Sequence, residues 1–249
     1  MNIWGITDVG AVRHQNQDSY HIELLAEDMA LGIVCDGMGG AKAGNVASQL
    51  AVETFLETAK AQPPEQWRNE PEALLHFAAE QANGAVHFRA NVDADCRGMG
   101  TTMVAALVVG DRAYILNIGD SRCYLVRPEG ITKVTRDHSV VEDLVARGQI
   151  TPEQARQHPQ KNLITRALGV AANIVPEYNR CEIEEGDILL LCTDGLTNMV
   201  PDEEIARILQ DTAFFDAAGV LISRALQAGG QDNVTVLLMG VETTEVNNG

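Results

Sequence analysis

Four aspartates occupy the same kind of place along the chain. Asp36 follows the apolar run Leu31–Cys35 and precedes Gly37. Asp120 follows Tyr114–Ile118 and Gly119, and Asp194 follows Ile188–Cys192 and Thr193 and precedes Gly195. Asp232 precedes Asn233 and the run Val234–Met239. Each falls at the rim of an expected strand, beside a residue tolerant of unusual backbone angles. One Asp-Gly pair is an ordinary turn signal. Four aspartates at strand ends are a set, because converging carboxylates repel unless positive charge lies between them. Hard divalent cations with oxygen ligands are the natural partner. No Cys or His cluster has the spacing of a zinc site.

The run Asp36-Gly37-Met38-Gly39-Gly40 is dense in glycine, which lets backbone approach an ion or a phosphate closely. Upstream, Arg13 sits in a polar turn with Asn16, Gln17 and Asp18. A guanidinium can hold two phosphoryl oxygens at once, so Arg13 is a candidate phosphate clamp beside a metal site.

Short apolar runs bounded by Gly and Asp must carry these residues. Strands are expected at Ile3–Thr7, Ala30–Cys35, Thr102–Val109, Ala113–Ile118, Cys123–Val126, Ile188–Cys192 and Val234–Met239. Long amphipathic helices are expected from about Gly44 to Ala61 and from Pro71, at a first helical position, to about Asn91. A second helical pair is expected near the C-terminus. Its first member starts at Pro201-Asp202-Glu203-Glu204, with acidic residues suited to the helix dipole, and its second spans about Ala213–Leu226. Consecutive strands point to antiparallel sheets and an α+β class rather than alternating β-α units. The polar segment Asp137–Ala172 reads as a surface insert over a site, and residues 242–249 as a frayed tail.

Of 249 residues, 45% are apolar, ample for a packed core. The net charge is −17, from 35 acidic and 18 basic residues. That disfavours binding to nucleic acid or to anionic lipid. Five cysteines, Cys35, Cys96, Cys123, Cys181 and Cys192, include no C-x-x-C pair and read as small buried thiols in a reducing compartment. Met1 to Val12 has no basic start followed by an apolar stretch, so no secretory signal is expected. No apolar run approaches the length of a membrane span, and a cytoplasmic protein is expected.

Eight blocks, in order, resemble the metal-dependent protein serine/threonine phosphatases of type 2C, especially compact stand-alone bacterial members. They are Arg13-His14-Gln15-Asn16-Gln17-Asp18, Val34-Cys35-Asp36-Gly37-Met38-Gly39-Gly40, Gly100-Thr101-Thr102 and Asn117-Ile118-Gly119-Asp120-Ser121-Arg122. The rest are Asp137-His138-Ser139, Asn162 to Gly169, Cys192-Thr193-Asp194-Gly195-Leu196 and Gln231-Asp232-Asn233. The resemblance implies a four-layer α-β-β-α sandwich with two central antiparallel sheets, in one catalytic domain over residues 1–241. It implies two Mn²⁺ or Mg²⁺ ions and a weaker third. Asp36 would bridge two of them, the Gly37 carbonyl would bind one, and Asp194 and Asp232 the other. Asp120, with Asp194, would serve the third. Asp18 would orient the attacking water, Arg13 would hold the phosphate, and the insert at about 137–172 would be a mobile flap. Phosphoproteins, with a serine/threonine kinase and its targets, are the implied partners of a monomer.

Met38 and Ala41 stand where relatives carry His, so the leaving-group acid is unassigned, with His138 and a metal-bound water as candidates. Asn45 replaces a usual Glu. Other phosphatase chemistries fail on residue spacing. Six positions after the five cysteines stand Ala41, Thr102, Glu129, Asp187 and Asn198, never the Arg a cysteine phosphatase needs. Arg13-His14 is followed by Gln15, not Gly, and Asp93-Ala94-Asp95 follows a helix rather than a strand. The main alternative is a non-catalytic phosphatase-like signalling module, which the loss of a metal aspartate would mark. A metal-dependent nuclease is disfavoured by the charge.

Overall fold

The computed structural model describes residues 1–39 and 43–241. Gly40 of the glycine run, the Ala41 position and the tail 242–249 lie outside the described residues. The chain opens with β1 (Asn2–Asp8), then a polar loop and the hairpin β2 (Asp18–Ala26) and β3 (Met29–Met38). Helices α1 (Ala43–Lys60), α2 (Pro64–Asn69) and α3 (Pro71–Val92) follow. Next come β4 (Gly100–Thr101), β5 (Met103–Val109), β6 (Arg112–Ile118), β7 (Arg122–Arg127) and β8 (Gly130–Lys133). Short helices α4 (Val140–Ala146) and α5 (Pro152–Arg156) precede β9 (Glu177–Glu182) and β10 (Ile188–Cys192). The chain closes with α6 (Asp194–Thr197), α7 (Asp202–Asp211), α8 (Phe214–Gln227) and β11 (Val234–Gly240).

The strands form two antiparallel sheets, ordered β1-β11-β10-β7-β8 and β2-β3-β5-β6-β9, with β4 beside β3. Strand alternation explains the layering. In β3, Leu31, Ile33 and Cys35 face α1 and α3, while Ala30 and Val34 face the other sheet. In β11, Val236 and Leu238 face α7 and α8, while Leu237 and Met239 face inward. Buried alanines set the outer helical layer: Ala47, Ala51 and Ala59 on α1 and Ala78, Ala82 and Ala90 on α3 let the two helices approach closely. On the other side, Arg224 of α8 grips Glu204 of α7 at 2.6 Å. The result is the expected α-β-β-α sandwich.

The long helices begin and end within about a residue or two of the expected positions. The sequence reading omits four strands: β2, β4, β8 and β9. All four are short or lie at sheet edges, and β9 alternates half-buried and exposed residues with no apolar run. The expected run Thr102–Val109 starts one residue before β5, at Thr102, which lies between β4 and β5 and donates its N–H to the Asp36 carbonyl of β3 at 2.9 Å.

Candidate active site

Strand directions within each sheet bring the four aspartates to one end of the sandwich. β3 and β6 both pair antiparallel to β5, so Asp36 near the end of β3 and Asp120 after β6 emerge on one rim. Asp194 opens α6 directly after β10, and Asp232 precedes β11, the antiparallel neighbour of β10. Asp18 lies across from Asp36 in the β2–β3 register. A cavity of about 260 Å³ opens there, lined by Arg13, Asp36, Gly37, Asp120, Asp194 and Asp232 among others.

Asp18 joins the two sheets. Its Oδ2 accepts hydrogen bonds from Thr193 Oγ1 at 2.9 Å and Thr235 Oγ1 at 2.6 Å, both on the opposite sheet. Thr235 is in turn 2.7 Å from Thr7 Oγ1, which accepts from Asn16 Nδ2. The Oδ1 atoms of Asp18 and Asp194 are buried with no hydrogen-bond partner. Asn198 donates to the other oxygen of Asp194 at 2.9 Å. Thr102 Oγ1 accepts the Asp36 N–H at 2.9 Å and contacts Ser121 Oγ at 2.7 Å, fixing the end of β3.

Two close approaches require glycine. A Cβ on Gly37 would stand 2.0 Å from the Gly44 carbonyl oxygen, and one on Gly195 1.9 Å from that of Asn233. Asn233 anchors the loop that carries Arg13. Its Oδ1 accepts the Gln17 N–H, and its Nδ2 donates to the carbonyls of Val9 and Gln15. Arg13 Nη2 reaches Asp232 Oδ2 at 2.8 Å.

Electrostatics follow from this crowding. Burial, then the charges of Asp18, Asp194, Asp120 and Asp232, pushes the Asp36 carboxyl well above the carboxylate range. Burial raises Asp18 to about 7 against its two threonine donors, and Asp194 and Asp232 add to the rise. Burial raises Asp120 to about 8, with Asp194 and Asp137 contributing, and Asp194 to about 6, with Asp232 contributing. Among the described residues no three His, Cys, Asp or Glu side chains close on one point. Asp232 is turned to Arg13, and the other carboxylates repel one another. The donors nonetheless fit hard divalent cations. Orphaned buried oxygens face no protein donor, and no Cys or His lines the cavity.

The six residues singled out for the pocket, Arg13, Asp36, Gly37, Asp120, Asp194 and Asp232, all line it. Asp18 lies behind them, buried between the sheets. His138 lines neither this cavity nor its neighbour. Its Nδ1 accepts the Gly119 N–H at 3.2 Å, and burial with the Arg166 charge holds its pKa down. Asn45 keeps its Oδ1 buried and unpartnered. Sequence reasoning gave no role to Thr102, Thr193, Thr235 or Asn233. The signal available was their place immediately beside the aspartates or at a strand start.

An oxygen-lined pocket that calls for cations, with a guanidinium at its mouth and a β-sandwich behind it, defines a metal-dependent hydrolase of anionic esters. A family model described as protein phosphatase 2C matches residues 11–235. The chain belongs to the protein phosphatase 2C family. It is 38% identical over 240 residues to serine/threonine phosphatase stp of Listeria monocytogenes, spanning 96% of this chain and 95% of that one. It is 40% identical over 242 residues to protein phosphatase PhpP of Streptococcus pneumoniae, spanning 97% and 98%. It superposes with a TM-score of 0.85, at 38% identity, on the catalytic domain of serine threonine protein phosphatase PstP in complex with two manganese ions. That match covers 97% of this chain and 98% of the other.

Proposed function

We propose that this metal-dependent serine/threonine protein phosphatase works through the rim cluster, where Asp36 would help hold two Mn²⁺ or Mg²⁺ ions. The Gly37 carbonyl, Asp194 and Asp232 complete that set, and Asp120 with Asp194 serves a weaker third position. Bound there, the cations supply Lewis acidity, lowering the pKa of water and screening phosphoryl charge. The observation that carries the reading is the convergence of four strand-end aspartates on one pocket, where Asp194 keeps a buried oxygen without a protein donor.

The chain's own residues do the rest. Arg13, held on a loop stapled by Asn233, is placed to grip the phosphoryl oxygens of a phosphoserine or phosphothreonine. Asp18 keeps the two sheets in register behind the pocket and retains one oxygen without a protein donor, which suits orienting the attacking water. We assign residues 1–241 to one catalytic domain whose insert at about 137–172 acts as a flap. Asn162 and Ile164 of that insert line the pocket. A monomeric cytoplasmic enzyme opposing a serine/threonine kinase fits this reading. Among the described residues no helix is long and apolar enough to cross a membrane.

The test is a phosphothreonine-peptide assay with Mn²⁺ and with excess chelator. Turnover is expected with the metal and is expected to vanish on chelation. Full turnover after chelation would remove the metal from the mechanism.

A further inference from the structure

A second cavity, of about 420 Å³, adjoins the first and shares Asp120 and Asp194 as a common wall. Its size falls in the range of ligand sites. One side is built by the insert, through Val141 and Val145 of α4 and Pro152 and Ala155 of α5. The facing side is Met199, Val200 and Pro201, after α6. Between the polar groups of the cleft, these residues offer apolar contacts that suit a peptide chain lying across them.

The charges along this cleft are unequal in their commitments. Arg122 is held by Asp137 at 2.7 Å and also donates to Tyr124 Oη. Lys133 is shared between Asp137 at 3.4 Å and Glu142 at 3.7 Å. Asp202 accepts from Tyr124 Oη at 3.2 Å. Asp120 and Asp194 belong to the metal pocket. Two cations remain: Arg156, at the end of α5, and Lys161 both line the cleft, and among the described residues neither side chain makes a salt bridge or hydrogen bond, although the Arg156 charge helps hold the carboxyl of the exposed Glu153 below its ordinary range. Thr197 Oγ1, on the facing wall, is buried without a partner. Two cations without a salt bridge and an unpaired hydroxyl therefore stand beside the catalytic pocket of a chain with net charge −17.

We propose that this cleft is a second subsite, resting on the phosphatase reading above, which receives an anionic side chain of the substrate flanking the phosphoresidue. Arg156 and Lys161 hold its carboxylate or phosphate group, and the apolar residues of the walls hold the connecting chain. The preferred substrate segment thus carries two anionic groups, one hydrolysed at the Asp36 pocket and one only bound.

The experiment uses the full chain with Mn²⁺ and two kinds of substrate. p-Nitrophenyl phosphate reports the catalytic pocket alone. Phosphothreonine peptides carry alanine, glutamate or a non-hydrolysable phosphonate residue at each flanking position in turn. At one position the anionic peptides are expected to show a KM lower by about three- to fivefold, the size of partly exposed charge pairs. That preference should shrink at high salt. It should also disappear in the Arg156→Ala/Lys161→Ala double variant, while p-nitrophenyl phosphate and the alanine peptide are turned over as before. A gain with phosphonate alone assigns the subsite to a second phosphate, and a gain with glutamate as well assigns it to any anion. No preference at any position, or a preference that survives in the double variant, overturns the subsite. Failure of the wild-type protein on p-nitrophenyl phosphate would overturn the phosphatase reading itself, a separable result.

Discussion

At Asp36, folding places a carboxylate where its charge is least favoured, buried and facing Asp18, Asp120, Asp194 and Asp232. Such strain is retained at functional sites because the ligand, not the fold, resolves it. Asp36→Asn keeps the shape and removes the charge that Asp18, Asp194, Asp120 and Asp232 repel. In chelator at pH 8 this variant should melt higher than the wild type, by on the order of 1 kcal/mol. Outer-shell losses at metal sites already cost 10–100-fold, so its phosphatase activity should fall by more than ~100-fold. Thermal melts and a phosphopeptide assay read the two effects, and a lower melting point would show that the carboxylate is satisfied by protein donors. Asp36, Asp120, Asp194 and Asp232 were legible because an aspartate at the rim of an apolar run, beside glycine or asparagine, is a local signal. Thr193 and Thr235 were not. Their bonds to Asp18 span 175 and 217 positions, and a threonine in an apolar strand reads as an ordinary β-former.

Among the elements, legibility followed burial. The central strands β3, β5, β10 and β11 are buried on both faces and appear as apolar runs. The edge strands β2 and β9 bury at most one face, so their side chains alternate too weakly to mark them. That omission hid the most consequential pairing, since β2 carries Asp18 to Asp36 and across to the second sheet. The sheets are held together at this end by a polar clamp as well as by the apolar layer of Val34, Val104, Leu191 and Leu237. Thr235→Val removes one of the two donors to Asp18 Oδ2 and breaks the chain from Asn16 through Thr7. A buried acceptor losing its donor costs about 1–3 kcal/mol, and Thr235→Val should lose that much in chemical denaturation with Mn²⁺ present. Thr235→Ser, which keeps the hydroxyl, should recover most of it. Equal losses in the two variants would place the effect in packing instead.

For the whole molecule, the acidic excess contains two sets of carboxylates with opposite responses to pH. Surface carboxylates such as Glu23, Asp28 and Glu204, paired with Lys60, Arg68 and Arg224, have lowered pKa values. They stabilise the fold above the ordinary carboxylate range and lose that effect only in acid. The rim aspartates run the other way. Asp18, Asp120 and Asp194 rise from 3.8 to about 7, 8 and 6, and Asp36 is also raised well above its ordinary value. A raised pKa means that the folded state binds protons the unfolded chain has already released. Stability from these groups is therefore full below about pH 4 and is lost as pH rises to about 8. His138, lowered from 6.5, opposes the trend as one group against four. In chelator the melting temperature should fall steadily from pH 5 to pH 8. Saturating Mn²⁺ should raise it most at pH 8 and flatten the dependence, because cations replace the protons between the carboxylates. Binding should then release protons, measurable in weakly buffered solution near pH 7 with an indicator dye. A melting temperature in chelator that is flat or rises over this range would mean that the rim aspartates are already ionised in the folded chain, and no proton would leave when the metal enters.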